Sequence, residues 1–168
     1  MKFNRWILRA SFSTAQVARL TGLSARQLDY WDRQGFLSPS LERARGYGSA
    51  RRYSFGDVVR LRLAGRLRAA GIGLPQIRQC VATLKRLDPA RAGIEEARLL
   101  ISGRRVLWVR DDDQLVDILH EGQLMLVFPV GEAVRDMAEA AEKLSAEESA
   151  LAGPFDALPA LRVSGRSS

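Results

Sequence analysis

The chain has 168 residues, 46% hydrophobic and 27% charged, the balance of a soluble globular protein of one or two small domains. No apolar run approaches the roughly 20 residues of a membrane span. Charges stand where residues 1–9 would need the apolar stretch of a signal peptide, and the lone Cys80 excludes an internal disulfide, so a cytoplasmic protein is expected. The net charge of +7 is unevenly spread. Residues 1–86 hold 17 Lys and Arg against 4 Asp and Glu, a net +13, whereas residues 87–168 hold 9 against 15, a net −6. A basic half suits a polyanion and an acidic half a different task.

In chain order, residues 14–20 predict a short helix with Ser13 or Thr14 as its N-cap. Thr21-Gly22-Leu23 interrupts it and Ser24 opens the next, over residues 25–33, with Leu28 and Trp31 on one face. Gly35 stands where a left-handed C-cap is needed. Ala18 and Gly22 permit a close crossing whose angle Val17, Leu23, Leu28 and Trp31 would fill. That is a helix-turn-helix pattern, although an arbitrary pair of amphipathic helices gives the same spacing. Residues 36–53, rich in Gly, Ser, Pro and Arg, suggest a two-stranded wing carrying Arg43, Arg45, Arg51 and Arg52, or else a solvated basic loop. Ser54 caps a helix over residues 55–70 with Phe55, Val59, Leu63 and Leu67 in a row for the core. After Gly71-Ile72-Gly73, residues 74–87 form another, with Leu74, Ile77, Val81 and Leu84 as its stripe and Cys80 as a buried structural thiol.

Asp88-Pro89 marks a boundary. Beyond it the pattern predicts a helix over 90–101, a strand over 105–110, a short helix over 114–120, a strand over 123–130, a helix over 131–151 and a loose tail from 153. Asp111-Asp112-Asp113 reads as a helix start and His120 as a complement to a helix dipole. No nucleophile with a base, no paired carboxylates and no Cys/His cluster emerge, so no catalytic residue, metal or cofactor is expected. Val134, Met137, Ala141, Leu144 and Leu151 follow three- and four-residue steps, with Glu148 interrupting. This stripe is either a dimer seam or the face that packs on the chain's own strands.

Over residues 12–87 the sequence resembles the MerR family of bacterial transcription regulators. The likeness rests on Ser13-Thr14-Ala15-Gln16-Val17-Ala18, Thr21-Gly22-Leu23-Ser24, Tyr30-Trp31-Asp32-Arg33-Gln34-Gly35-Phe36-Leu37-Ser38-Pro39, Arg51-Arg52-Tyr53-Ser54-Phe55-Gly56-Asp57-Val58 and Gly71-Ile72-Gly73-Leu74-Pro75-Gln76-Ile77-Arg78. It implies a winged helix-turn-helix whose DNA contacts come from Thr14, Ser24, Arg26, Gln27, Tyr30, Arg43, Arg45, Arg51, Arg52 and Tyr53. It also implies a homodimer on an inverted repeat in promoter DNA, distorting it for RNA polymerase. Asp29 stands where the family usually has Arg, and a carboxylate beside phosphates repels, so Asp29 is expected to turn toward Arg26, Arg33 or a wing arginine.

The expected fold is therefore mainly α with small β elements. An N-terminal extension (1–11) precedes a winged helix-turn-helix (12–87), a small α/β dimerisation or effector region (88–152) and a flexible tail (153–168). The function alternative to a regulator is an architectural or accessory DNA-binding protein without an effector.

Overall fold

Serine starts three of the helices. In a computed structural model describing residues 6–43, 50–85, 98–102, 105–109 and 126–151, Ser13, Ser24 and Ser54 stand in extended backbone, each at an N-cap. Their hydroxyls accept from the backbone N–H of Gln16, Gln27 and Asp57, whose side chains reach back to the cap's own N–H. Each reciprocal pair satisfies donors that a helix start otherwise leaves open. The helices so opened are α1 (Thr14–Thr21), α2 (Ala25–Arg33) and α3 (Phe55–Ala69), followed by α4 (Leu74–Lys85).

The turn between α1 and α2 depends on Gly22, whose φ of 74° lies in the left-handed region and whose N–H donates to the Ala18 carbonyl at 3.0 Å. Gly35 (φ 61°) ends the α2 segment in the same way. Val17, Leu23, Leu28 and Trp31 are buried between the helices, and Trp31 meets Phe36 edge-on with ring centroids 5.2 Å apart. The expected row on α3 is buried, as are Ile77, Cys80, Val81 and Leu84 on α4. Leu74 differs: at the first turn of α4 it is 42% exposed. Burial raises the Cys80 thiol to about 11, which keeps it protonated and inert near neutral pH.

Among the described residues there are also two antiparallel sheets. β1 (Ser11–Ser13) pairs with β2 (Arg52–Ser54), placing Phe12 opposite Tyr53. β3 (Arg98–Ser102), β4 (Arg105–Val109) and β5 (Leu126–Pro129) form the second sheet in the order β4-β3-β5. Helix α5 (Val130–Leu151) follows β5 directly.

Several expectations need correction. Arg98–Ile101, assigned to a helix, is the first four residues of the central strand β3. Leu99, Leu100 and Ile101 are all buried, so both faces of the strand are covered. A continuous apolar run of this kind has no period that separates strand from helix. The described part of the expected N-terminal extension is also structured: residues 7–9 form a 3-10 turn on α3 and α5, with Ile7 fully buried. The expected helix over 114–120, with Asp111-Asp112-Asp113 and His120, and the tail from 153 lie outside the described residues.

The two oppositely charged halves share one core. Val130, Val134, Met137, Ala138, Ala141 and Leu144 of α5 join Leu99, Ile101 and the buried side chains of α1 to α4 in a single apolar cluster. α5 lies against α3, α1 and β3.

Candidate nucleic-acid interface

α2 is strongly two-sided. Leu28 and Trp31 point inward, 1% and 3% exposed, while Ser24, Arg26, Gln27 and Tyr30 lie on the exposed side. With 3.6 residues per turn, burying positions 28 and 31 sends 26, 27 and 30 outward. The cap fixes the start of this surface: the Ser24 N–H donates to Gln27 Oε1 at 2.9 Å, and the Gln27 N–H donates to Ser24 Oγ at 3.2 Å. Gln27 therefore keeps its amide NH2 as the group to offer outward.

Asp29 and Asp32, on the next turns of α2, hold Arg51. Arg51 Nη2 donates to Asp29 Oδ1 at 2.6 Å and Arg51 Nε to Asp32 Oδ2 at 2.9 Å, while Arg33 reaches the other Asp29 oxygen at 3.0 Å. Asp29 thus turns to Arg51, one of the arginines expected on a wing, and to Arg33, both among the partners expected for it. Burial works against the Arg51 cation, but its hydrogen bonds to Asp29 and Asp32 and their negative charge prevail and raise its pKa. The consequence is positional. The residue entering β2 is tied to α2, and Arg51, its side chain only 20% exposed, does not stand out as a phosphate clamp.

The remaining expected contacts divide. Arg52 and Arg43 are exposed beside a short backbone pairing in which the Arg52 N–H donates to the Glu42 carbonyl at 2.9 Å and the Arg52 carbonyl accepts from the Glu42 N–H at 3.1 Å. Arg45 lies outside the described residues. Thr14, at the first turn of α1, is half-buried. Tyr53 is a correction: it is 1% exposed, on the inward face of β2, and burial raises its phenol pKa against the pull of Arg51 and the Thr14 side chain. Strand alternation explains this, because exposed Arg52 and its neighbour Tyr53 must face opposite ways.

Asp57 is a structural anchor that the candidate set did not include. It is 3% exposed, and its Oδ2 accepts from the N–H of Ser40 (2.8 Å), the hydroxyl of Ser40 (2.6 Å) and the N–H of Ser54 (2.9 Å), while Arg60 pairs with Oδ1. Desolvation alone would raise its pKa; the bonds from Ser40 and Ser54 and the charge of Arg60 outweigh that and lower it. One carboxylate thus fixes the loop after Phe36, the end of β2 and the start of α3. The signal available in the sequence was Ser54-x-x-Asp57, a capping box with an acid at its third position.

Of the five residues expected at a dimer seam, Val134, Met137, Ala141 and Leu144 are at most 5% exposed inside this chain's own core, whereas Leu151 is 88% exposed. The intramolecular alternative for the stripe is what the single chain displays. Past Leu144 the helix carries acid against α1: Glu147 accepts from Arg19 at 2.9 Å and Glu148 from Gln16 at 2.7 Å. Among the described residues no group of His, Cys, Asp and Glu is placed to hold a metal, and no helix is long and apolar enough to cross a membrane.

Residues 12–84, which contain α1 to α3 and nearly all of α4, match the family described as MerR HTH family regulatory protein. That region is therefore similar to the MerR family of helix-turn-helix regulators. An uncharacterised HTH-type transcriptional regulator of Mycobacterium bovis is 32% identical over 148 residues, covering 80% of this chain and 64% of its own length. Those of two Mycobacterium tuberculosis strains match to the same extent. The chain thus spans a little under two thirds of the length of these relatives, and the similarity runs well beyond the MerR region into the acidic half.

Proposed function

We propose that the protein is a DNA-binding transcription regulator that docks α2 in the major groove, as a homodimer on an inverted repeat in promoter DNA. The observation that carries this reading is the exposed side of α2, where Arg26, Gln27 and Tyr30 project from a helix fixed by its cap and by Arg51. A recognition helix reads base edges from its first turns. Arg26 has the donors for a guanine and the free amide NH2 of Gln27 suits a purine N7, with an adenine read in full if Oε1 leaves the cap to accept from N6, while Tyr30 and Thr14 are assigned to phosphates. Arg43 and Arg52 are assigned to the backbone as part of a wing, with Arg51 holding the wing rather than touching DNA. The names of the relatives support regulation of transcription.

One such module makes few base contacts for a unique genomic site, and two-fold symmetry doubles them. Because Val134, Met137, Ala141 and Leu144 are engaged in the chain's own core, the pairing surface is assigned elsewhere. The family resemblance adds bending and untwisting of the promoter, which changes how RNA polymerase meets it. No enzymatic role is assigned. A footprint of the full chain on promoter fragments from its own genome tests the reading. The expected result is a protected inverted repeat with half-sites about one helical turn, ~34 Å, or a multiple apart. Uniform coating without a protected repeat would instead support an architectural DNA binder.

A further inference from the structure

α5 is anchored through Leu144 and then changes character. From Ser145 to Leu151 every residue is exposed, and this tip is held against α1 by the Arg19–Glu147 ion pair and the Gln16–Glu148 hydrogen bond. Both partners in the ion pair are 59% exposed, so water screens it and the tip is cheap to displace. The surface it covers matters. In a helix-turn-helix the first helix crosses the phosphate backbone, and Gln16 lies two residues from Thr14, at the N-terminus of that helix. Two carboxylates there cancel a basic side chain and oppose incoming phosphates.

We propose that the tip of α5 is an acidic cap on α1, competing with duplex DNA for Arg19 and Gln16 and holding DNA affinity below what the basic half would otherwise give. The proposal rests on the DNA-binding reading and adds to it a built-in restraint. When phosphate replaces Glu147, Arg19 becomes one more cation on the backbone. Freeing it therefore makes the salt dependence of binding steeper by about one phosphate contact.

The experiment uses the full-length chain and a random-sequence duplex, so that only the electrostatic part of binding is read. E147Q/E148Q is compared with E139Q/E142Q, which removes the same charge from exposed positions of α5 that make neither contact with α1. The expected result is a gain for E147Q/E148Q of about three- to tenfold at ~0.1 M salt, with the steeper salt slope, and a much smaller gain for E139Q/E142Q. Adding Arg19→Ala to E147Q/E148Q removes most of the gain. Equal gains in the two double variants, or a gain that survives loss of Arg19, overturn the cap while leaving DNA binding intact. A wild-type chain that does not bind duplex DNA even at low salt overturns the cap together with the reading beneath it.

Discussion

Val134→Asp unfolds the whole chain, including the MerR region, and not the acidic half alone. Val134 is fully buried, in a cluster continuous with Val17, Leu28, Leu63 and Leu67. The substitution forfeits about 1.5–2 kcal/mol of apolar burial and places an unpaired carboxylate in the core at a cost of several kcal/mol more. The sum rivals the ~5–15 kcal/mol that holds a typical domain together. Leu151→Asp, on the same helix but 88% exposed, changes stability by no more than about 0.5 kcal/mol. Thermal unfolding by circular dichroism separates the two outcomes. A Val134→Asp chain that keeps the helical signal of residues 12–84 and melts in a separate step would show that the halves fold independently.

Asp57→Asn costs about 3–5 kcal/mol, because it leaves Arg60 without its anion, puts an amide NH2 in place of one carboxylate oxygen and removes the charge that strengthens the bonds from Ser40 and Ser54. The pH dependence follows from the sign of the shift. The folded-state pKa of Asp57 lies below its ordinary value, so the unfolded chain binds the proton more readily. The stability contributed by ionised Asp57 is complete above the usual carboxylate range and is lost as pH falls through the lowered folded value. Denaturant midpoints of wild type and Asp57→Asn therefore differ most near neutral pH and converge in acid. A gap that stays constant down to pH ~3 would mean that the charge of Asp57 does not stabilise the fold.

What the sequence reveals here is largely local chemistry. Ser24, Gly22, Gly35 and Ser54 act through their own few neighbours, and each occupies the cap or turn its residue type suits. Asp29 was legible for a similar reason, since a carboxylate on a basic surface needs a cation and arginines were close at hand. The misses depend on what lies across the fold. Ile7 and Leu99 are buried by elements distant in the chain. Tyr53 faces inward because β2 pairs with β1, a strand that the sequence pattern did not show. The stripe on α5 suits a partner helix and the chain's own α3 equally, since an apolar face does not name its cover.

The central claim is that the exposed side of α2 reads DNA, and the most direct measurement of it is the affinity of Arg26→Ala for an operator duplex and for a scrambled duplex across a salt series. Arg26 is exposed and takes no part in the core, so the variant folds as wild type does. If Arg26 reads a base, operator binding weakens by about 1–3 kcal/mol while scrambled binding changes far less, and discrimination at one base pair relaxes. An equal loss on both duplexes would place Arg26 on the phosphate backbone. No loss on either would contradict the assignment of α2 as the reading helix.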